Sequence, residues 1–273
     1  MRYTFHIRPS VNPDSILSLL ANVSPVSRAS KDSTGTAGSL AQSHAELRKL
    51  GLITSQKNNI TDSGQRIIAL GATRPHLVAE TIHAIYHRLL LDATDGSRIG
   101  GGWAYQKVCA SLWKSGNGAV DHVALISEII TEAASKFNIN EGSVAFSKNS
   151  LNGITKWLGA LDPKVYRNIG KTGHLSLRHV CQPEAVWWAV DALHYSDGRR
   201  MPYGVRVLLT ESAIKSLCQQ LLVAPESLDR VLLQAKRRSD LASGGIFDTG
   251  MAGGMGRWVL LAHEVLPGQV GDA

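Results

Sequence analysis

The sequence predicts a mainly α chain with small β elements, and three observations carry that expectation. Apolar residues recur at helical spacing through most of the 273 residues, while strand-like runs are few and short: 3–7, 52–53, 205–209 and 257–263. Glycines and prolines such as Gly51, Pro75 and Pro163 stand where the helical runs stop. A hydrophobic content of 44% is enough to bury a substantial core divided into two or three domains. We place the divisions at 1–74, 75–182 and 183–273, with a helical central domain and a small α+β C-terminal domain.

The N-terminal part sets the functional expectation. Tyr3 to Ile7 alternates and reads as a strand, and Ser15 to Val23 as a helix with Ile16, Leu17, Leu19 and Leu20 inward. Residues 24–35 are too polar and small for a confident positioning helix. In the next helix Ala37, Leu40, Ala41, His44 and Leu47 fall on one face, and Ser39, Gln42, Ser43, Glu46 and Lys49 on the other. Gly51 ends it, because glycine takes a left-handed cap at no steric cost. Leu52 and Ile53 lead into a polar tip, Ser55 to Asn59. Ile60 resumes, and Thr61 or Asp62 caps a helix that closes at Gly71.

That order over residues 13–71 resembles the recognition helix and wing of a winged helix-turn-helix domain. The resemblance implies duplex DNA as a partner. Ser39, Gln42, Ser43 and Lys49 would face the major groove, where glutamine can bind adenine through two hydrogen bonds. Lys57, Asn58 and Asn59 at the wing tip, with Arg28 and Lys31, would touch phosphate or the minor groove. Lys and Arg outnumber Asp and Glu by 29 to 22, a formal charge of +7 that suits a polyanion.

Further along, Pro75 to Asp92 reads as a long helix and residues 95–102 as a flexible glycine turn. Helices are expected over 103–113 and 120–137, the latter with Val123, Ile126, Ile130 and Ala134 inward. Residues 147–163 echo the first recognition-helix pattern, but no wing is evident after them, so a plain helical bundle is expected there. Residues 170–181 read as a loop or short strand, and 183–195, 211–222 and 225–236 as helices. Lys236, Arg237, Arg238 and Arg257 flank a glycine-rich stretch, 243–256, that could close over a nucleic-acid backbone. It lacks Gly-Lys-Ser/Thr and is not followed by a helix, so a phosphate-loop reading fails. The tail, 267–273, is expected to be loose.

Metal and catalytic signals are incomplete. Glu80, His83 and His87 share a helical face, but no glutamate lies between the histidines as a zinc-protease helix requires. His174, His179 and Cys181 make half of a zinc pattern without a second pair of cysteines. Three well-separated cysteines, Cys109, Cys181 and Cys218, argue against a disulfide framework. No cofactor and no metal is expected.

The expectation is therefore a non-catalytic, cytoplasmic DNA-binding protein. Its setting would be a subunit of a larger prokaryotic assembly acting on phage, plasmid or transposon DNA, such as antiviral defence. The alternatives are a winged-helix transcription regulator whose helical domain dimerises or senses a ligand, and a protein–protein scaffold that uses a winged helix without DNA. Partners are double-stranded DNA and other subunits or a second copy, without a membrane.

Overall fold

Among the described residues helical periodicity is realised as ten α-helices, and the β content as two three-stranded antiparallel sheets. These lie in a computed structural model that describes residues 3–23, 37–56, 58–92, 96–195, 201–241, 245–254 and 256–270. The fold is mainly α with small β elements, and no helix among the described residues is long and apolar enough to cross a membrane.

The first helices are α1 (Ile16–Val23), α2 (Ala37–Lys49) and α3 (Asp62–Thr73). Gly51 takes φ +72°, and an antiparallel bridge joins Ile53 to Ile60, with Asn58 left-handed at the tip. Thr61 caps α3 through the Gly64 amide and also donates to the Gly51 carbonyl at 2.6 Å. Tyr3 to Ile7 alternates as expected, with Phe5 and Ile7 fully buried, but it pairs with no strand among the described residues.

Then come α4 (His76–Asp92) and α5 (Gly96–Ser115). The glycines at 100–102 are helical, which corrects the expected turn. They are contact points: a Cβ on Gly100 would lie 2.8 Å from the Thr4 carbonyl oxygen, and one on Gly102 2.7 Å from Leu89 Cβ. Small residues let the N-terminal segment and α4 approach the α5 backbone.

The central elements continue with β1 (Gly118–Val120), α6 (His122–Phe137), α7 (Lys148–Leu158), β2 (Tyr166–Ile169) and β3 (Thr172–Leu175). The sheet order is β1-β3-β2, so the strand that precedes α6 pairs with the last strand of the hairpin that follows α7. In α6 the deepest residues are Leu125, Ile129 and Ala133, while Val123 is 79% exposed. The expected stripe was centred off the true one, because the apolar face is wide enough to fit either register.

One apolar cluster runs from Phe5 through Leu47, Ile82 and Tyr105 to Trp157 and Leu175. Residues 1–74 and 75–182 therefore share a core, and the expected boundary near 74 does not separate two hydrophobic cores. A second cluster takes in Ala84 of α4 and Cys181 and draws on α8 (Pro183–Leu193), α9 (Glu211–Leu221) and α10 (Leu228–Leu241). It also takes in a sheet of order β4-β6-β5, made by β4 (Val207–Leu208), β5 (Phe247–Ala252) and β6 (Gly256–Leu261). The described part of the glycine-rich stretch, 245–254, is thus mostly the strand β5 and the start of the turn after it. Residues 265–270 are docked: Trp188 Nε1 donates to the Gln269 carbonyl at 3.1 Å, and a Cβ on Gly268 would lie 3.3 Å from Arg66 and Thr81.

Candidate nucleic-acid interface

The face expected to read DNA on α2 is largely turned inward. Ser43 is 3% exposed, with its Oγ 3.2 Å from Ser10 Oγ. Lys49 is 6% exposed, pairs with Glu46 at 2.8 Å and donates to the His6 carbonyl at 2.6 Å. Glu46 in turn accepts from the Tyr86 hydroxyl at 2.9 Å. Of the expected readers Gln42 is exposed, together with Leu40, Ala41, Ala45 and Arg48. Polar residues won the buried side because they satisfy one another there, a pairing that periodicity cannot show.

The other expected contacts divide. Asn59 is exposed and Asn58 half-buried at the 54–59 tip. Lys236 is bound to Asp240 and Asp248, Arg238 approaches Glu184 at 3.7 Å, and Arg257 pairs with Asp229. These three guanidinium and ammonium groups already have protein counterions, whereas Arg237 is exposed. Hydrogen bonding to Asp248 helps hold the Lys236 ammonium above the ordinary lysine range. Arg28, Lys31 and Lys57 lie outside the described residues, as does the side chain of Ser39.

A different basic surface lies on α7 and the hairpin after it. Over residues 142–177 five cations, Lys148, Lys156, Lys164, Arg167 and Lys171, face a single acid, Asp162. All five are exposed. The one hydrogen bond any of their side chains makes among the described residues is from Lys156 to the Pro9 carbonyl, at 3.4 Å. Helical spacing puts Lys148, Asn149, Asn152 and Lys156 on the outer stripe of α7, while Leu151, Ile154, Trp157 and Leu158 are buried beneath. The C-terminal half of α7 and β2 frame a groove of about 460 Å³, lined by Lys156, Lys164, Arg167 and Asn168, with Asp14 also lining it.

Local chemistry fixes this unit. Asp121 caps α6 by accepting from the Val123 and Ala124 amides. Ser150 Oγ lies 2.6 Å from His6 Nδ1 and accepts from the Ser147 amide, which fastens the start of α7 to the N-terminal segment. Behind the hairpin, His122 Nε2 meets the Tyr166 hydroxyl at 2.6 Å, and burial pushes the tyrosine's ionisation upward. A side chain at position 173 would strike that hydroxyl, since its Cβ would lie 1.7 Å away. Reading 147–163 without a wing missed this surface. Its signal is the β-prone pair Val165 and Tyr166 ahead of Gly170, which makes the hairpin turn at φ +62°.

The incomplete trio Glu80, His83 and His87 is also rearranged. Glu80 is engaged by Arg178, and Cys109 of α5 takes its place near His83 and His87. His174 and His179 do not converge with Cys181; His179 Nδ1 lies 2.7 Å from Ser227 Oγ. Comparison of the chain with protein-family models, curated proteins and solved structures finds no match.

Proposed function

We propose that this chain binds duplex DNA through α7 and the β2–β3 hairpin. The observation that carries the proposal is a connectivity combined with a charge pattern. The order α5, β1, α6, α7, β2, β3, with β3 between the other two strands, is that of a winged helix-turn-helix unit. Its last helix, the turn after that helix and its wing carry the five exposed cations. In this proposal the winged-helix unit is residues 96–175 rather than 13–71.

In this reading the outer stripe of α7 enters the major groove. Asn149 and Asn152 are the base readers, because a side-chain amide can satisfy both the N6 and N7 positions of adenine. Lys148 and Lys156 flank them, and Arg167 and Lys171 on the hairpin neutralise backbone phosphates. The role as a non-catalytic subunit of a larger assembly rests on the size of the chain beyond one DNA-binding unit.

The test is fluorescence anisotropy with a labelled duplex over a salt series. Neutralising three to five phosphates gives a log–log slope of about −3 to −4.5. Binding that is absent at low salt, or insensitive to salt, rejects the proposal.

A further inference from the structure

We propose that His83, His87 and Cys109 form a buried binding site for a transition metal ion of the zinc class. The two histidines are four residues apart on α4, so their imidazoles share a face, and Cys109 meets them from α5. One ligand atom from each lies within 4.8 Å of the others. His83 and Cys109 are 3% and 0% exposed, and His87 9%.

The donor set is prepared in two ways. His83 Nε2 lies 2.6 Å from the Gln220 carbonyl oxygen, which can only accept, so that nitrogen carries the proton. The lone pair is then on Nδ1, where the Tyr105 hydroxyl donates at 2.9 Å. A backbone carbonyl fixing the far nitrogen of a histidine is the arrangement that orients metal ligands. His87 Nε2 is buried with no hydrogen-bond partner, an unmet need that a metal bond fills.

Two imidazoles and a thiolate suit zinc and exclude magnesium or calcium, which require oxygen donors. Zinc–nitrogen and zinc–sulfur bonds of about 2.0–2.3 Å put tetrahedral ligands roughly 3.3–3.8 Å apart. The donor atoms, within 4.8 Å of one another, close to these separations as the Tyr105 hydroxyl leaves His83 Nδ1. Binding releases the Cys109 thiol proton to solvent. Three protein ligands leave the fourth place for a water, and the cavity of about 420 Å³ that His87 lines, together with Trp103 and Gln106, gives a way in.

The experiment is a cobalt titration of the full chain after chelator treatment. One equivalent should produce the visible bands of four-coordinate cobalt and a near-ultraviolet thiolate charge-transfer band. Cys109→Ser should remove the charge-transfer band, and His87→Gln should weaken cobalt binding by at least about tenfold. No cobalt bands in the wild type, or a thiolate band that survives Cys109→Ser, overturns the site. Should a variant fail to fold, X-ray absorption on the wild-type zinc complex decides: one sulfur with two imidazoles supports it, and a shell without sulfur refutes it.

Discussion

Arg178 and Glu80 meet at 2.5 Å with neither side chain exposed to solvent. The guanidinium also donates to the Leu221 carbonyl through Nε and Nη2, and the same carboxylate oxygen accepts from the Asp162 amide. One buried pair thus ties α4 to the exit of β3, to the turn after α7 and to the end of α9. It joins the unit of α5 to β3 to the C-terminal cluster.

Removing one partner of this pair strands a charge in the core. Arg178→Met or Glu80→Leu alone should cost about 3–5 kcal/mol, while the double variant should cost clearly less than the sum. Urea denaturation of the three variants measures this. Single losses below about 1 kcal/mol would show that the charges reach water.

A second prediction concerns the close approach of α4 and α5. Gly to Ala inside a helix ordinarily stabilises by about 1 kcal/mol. Gly102→Ala should instead destabilise by about 1–3 kcal/mol, because its Cβ would lie 2.7 Å from Leu89 Cβ. A melting temperature that rises would refute the packing described.

How much of this was readable beforehand follows from what a periodicity contains. Ile16 and Leu20 of α1 and the buried stripe of α7 are legible, since each has one clearly apolar side. The orientation of α2 is not, because Glu46 and Lys49 cancel each other's desolvation through a pairing visible only in space. Gly100 and Gly102 look like a turn until their neighbours are known. The basic groove was equally hidden: its cations are spread over a helix, a turn and a hairpin and converge only on folding. Cys109 joins the histidines for the same reason, across two helices.

Acidification should loosen the support of α7. Burial, then Arg8 and Lys49, lower the His6 pKa below its ordinary 6.5, so the unfolded chain binds its proton first. The contribution of His6 is therefore complete above pH 6.5 and lost as pH falls below it. Amide exchange at the start of α7 should accelerate on going from pH 7 to pH 5, after correction for intrinsic rates, and do so less in His6→Gln. Equal acceleration in both would show that the His6–Ser150 contact is not the source.

Base reading and backbone contact should separate by mutation. Asn149→Ala with Asn152→Ala should reduce discrimination between duplexes by about 1–3 kcal/mol per lost contact while leaving the salt slope unchanged. Competition binding with a selected site and a scrambled one gives the ratio. An unchanged ratio would remove these residues from the readout.

The most direct measurement compares two variants in one salt titration on duplex DNA. One replaces Lys156, Arg167 and Lys171 by glutamine. The other changes the exposed residues of α2, Gln42→Ala and Arg48→Ala. If α7 and its hairpin form the interface, the first variant should bind more weakly and lose about one unit of log–log slope per lysine or arginine removed. The second should stay close to wild type. The opposite pattern, with the α2 variant impaired and the three-glutamine variant matching the wild-type affinity and slope, would contradict the assignment and return the DNA-binding surface to the N-terminal helices.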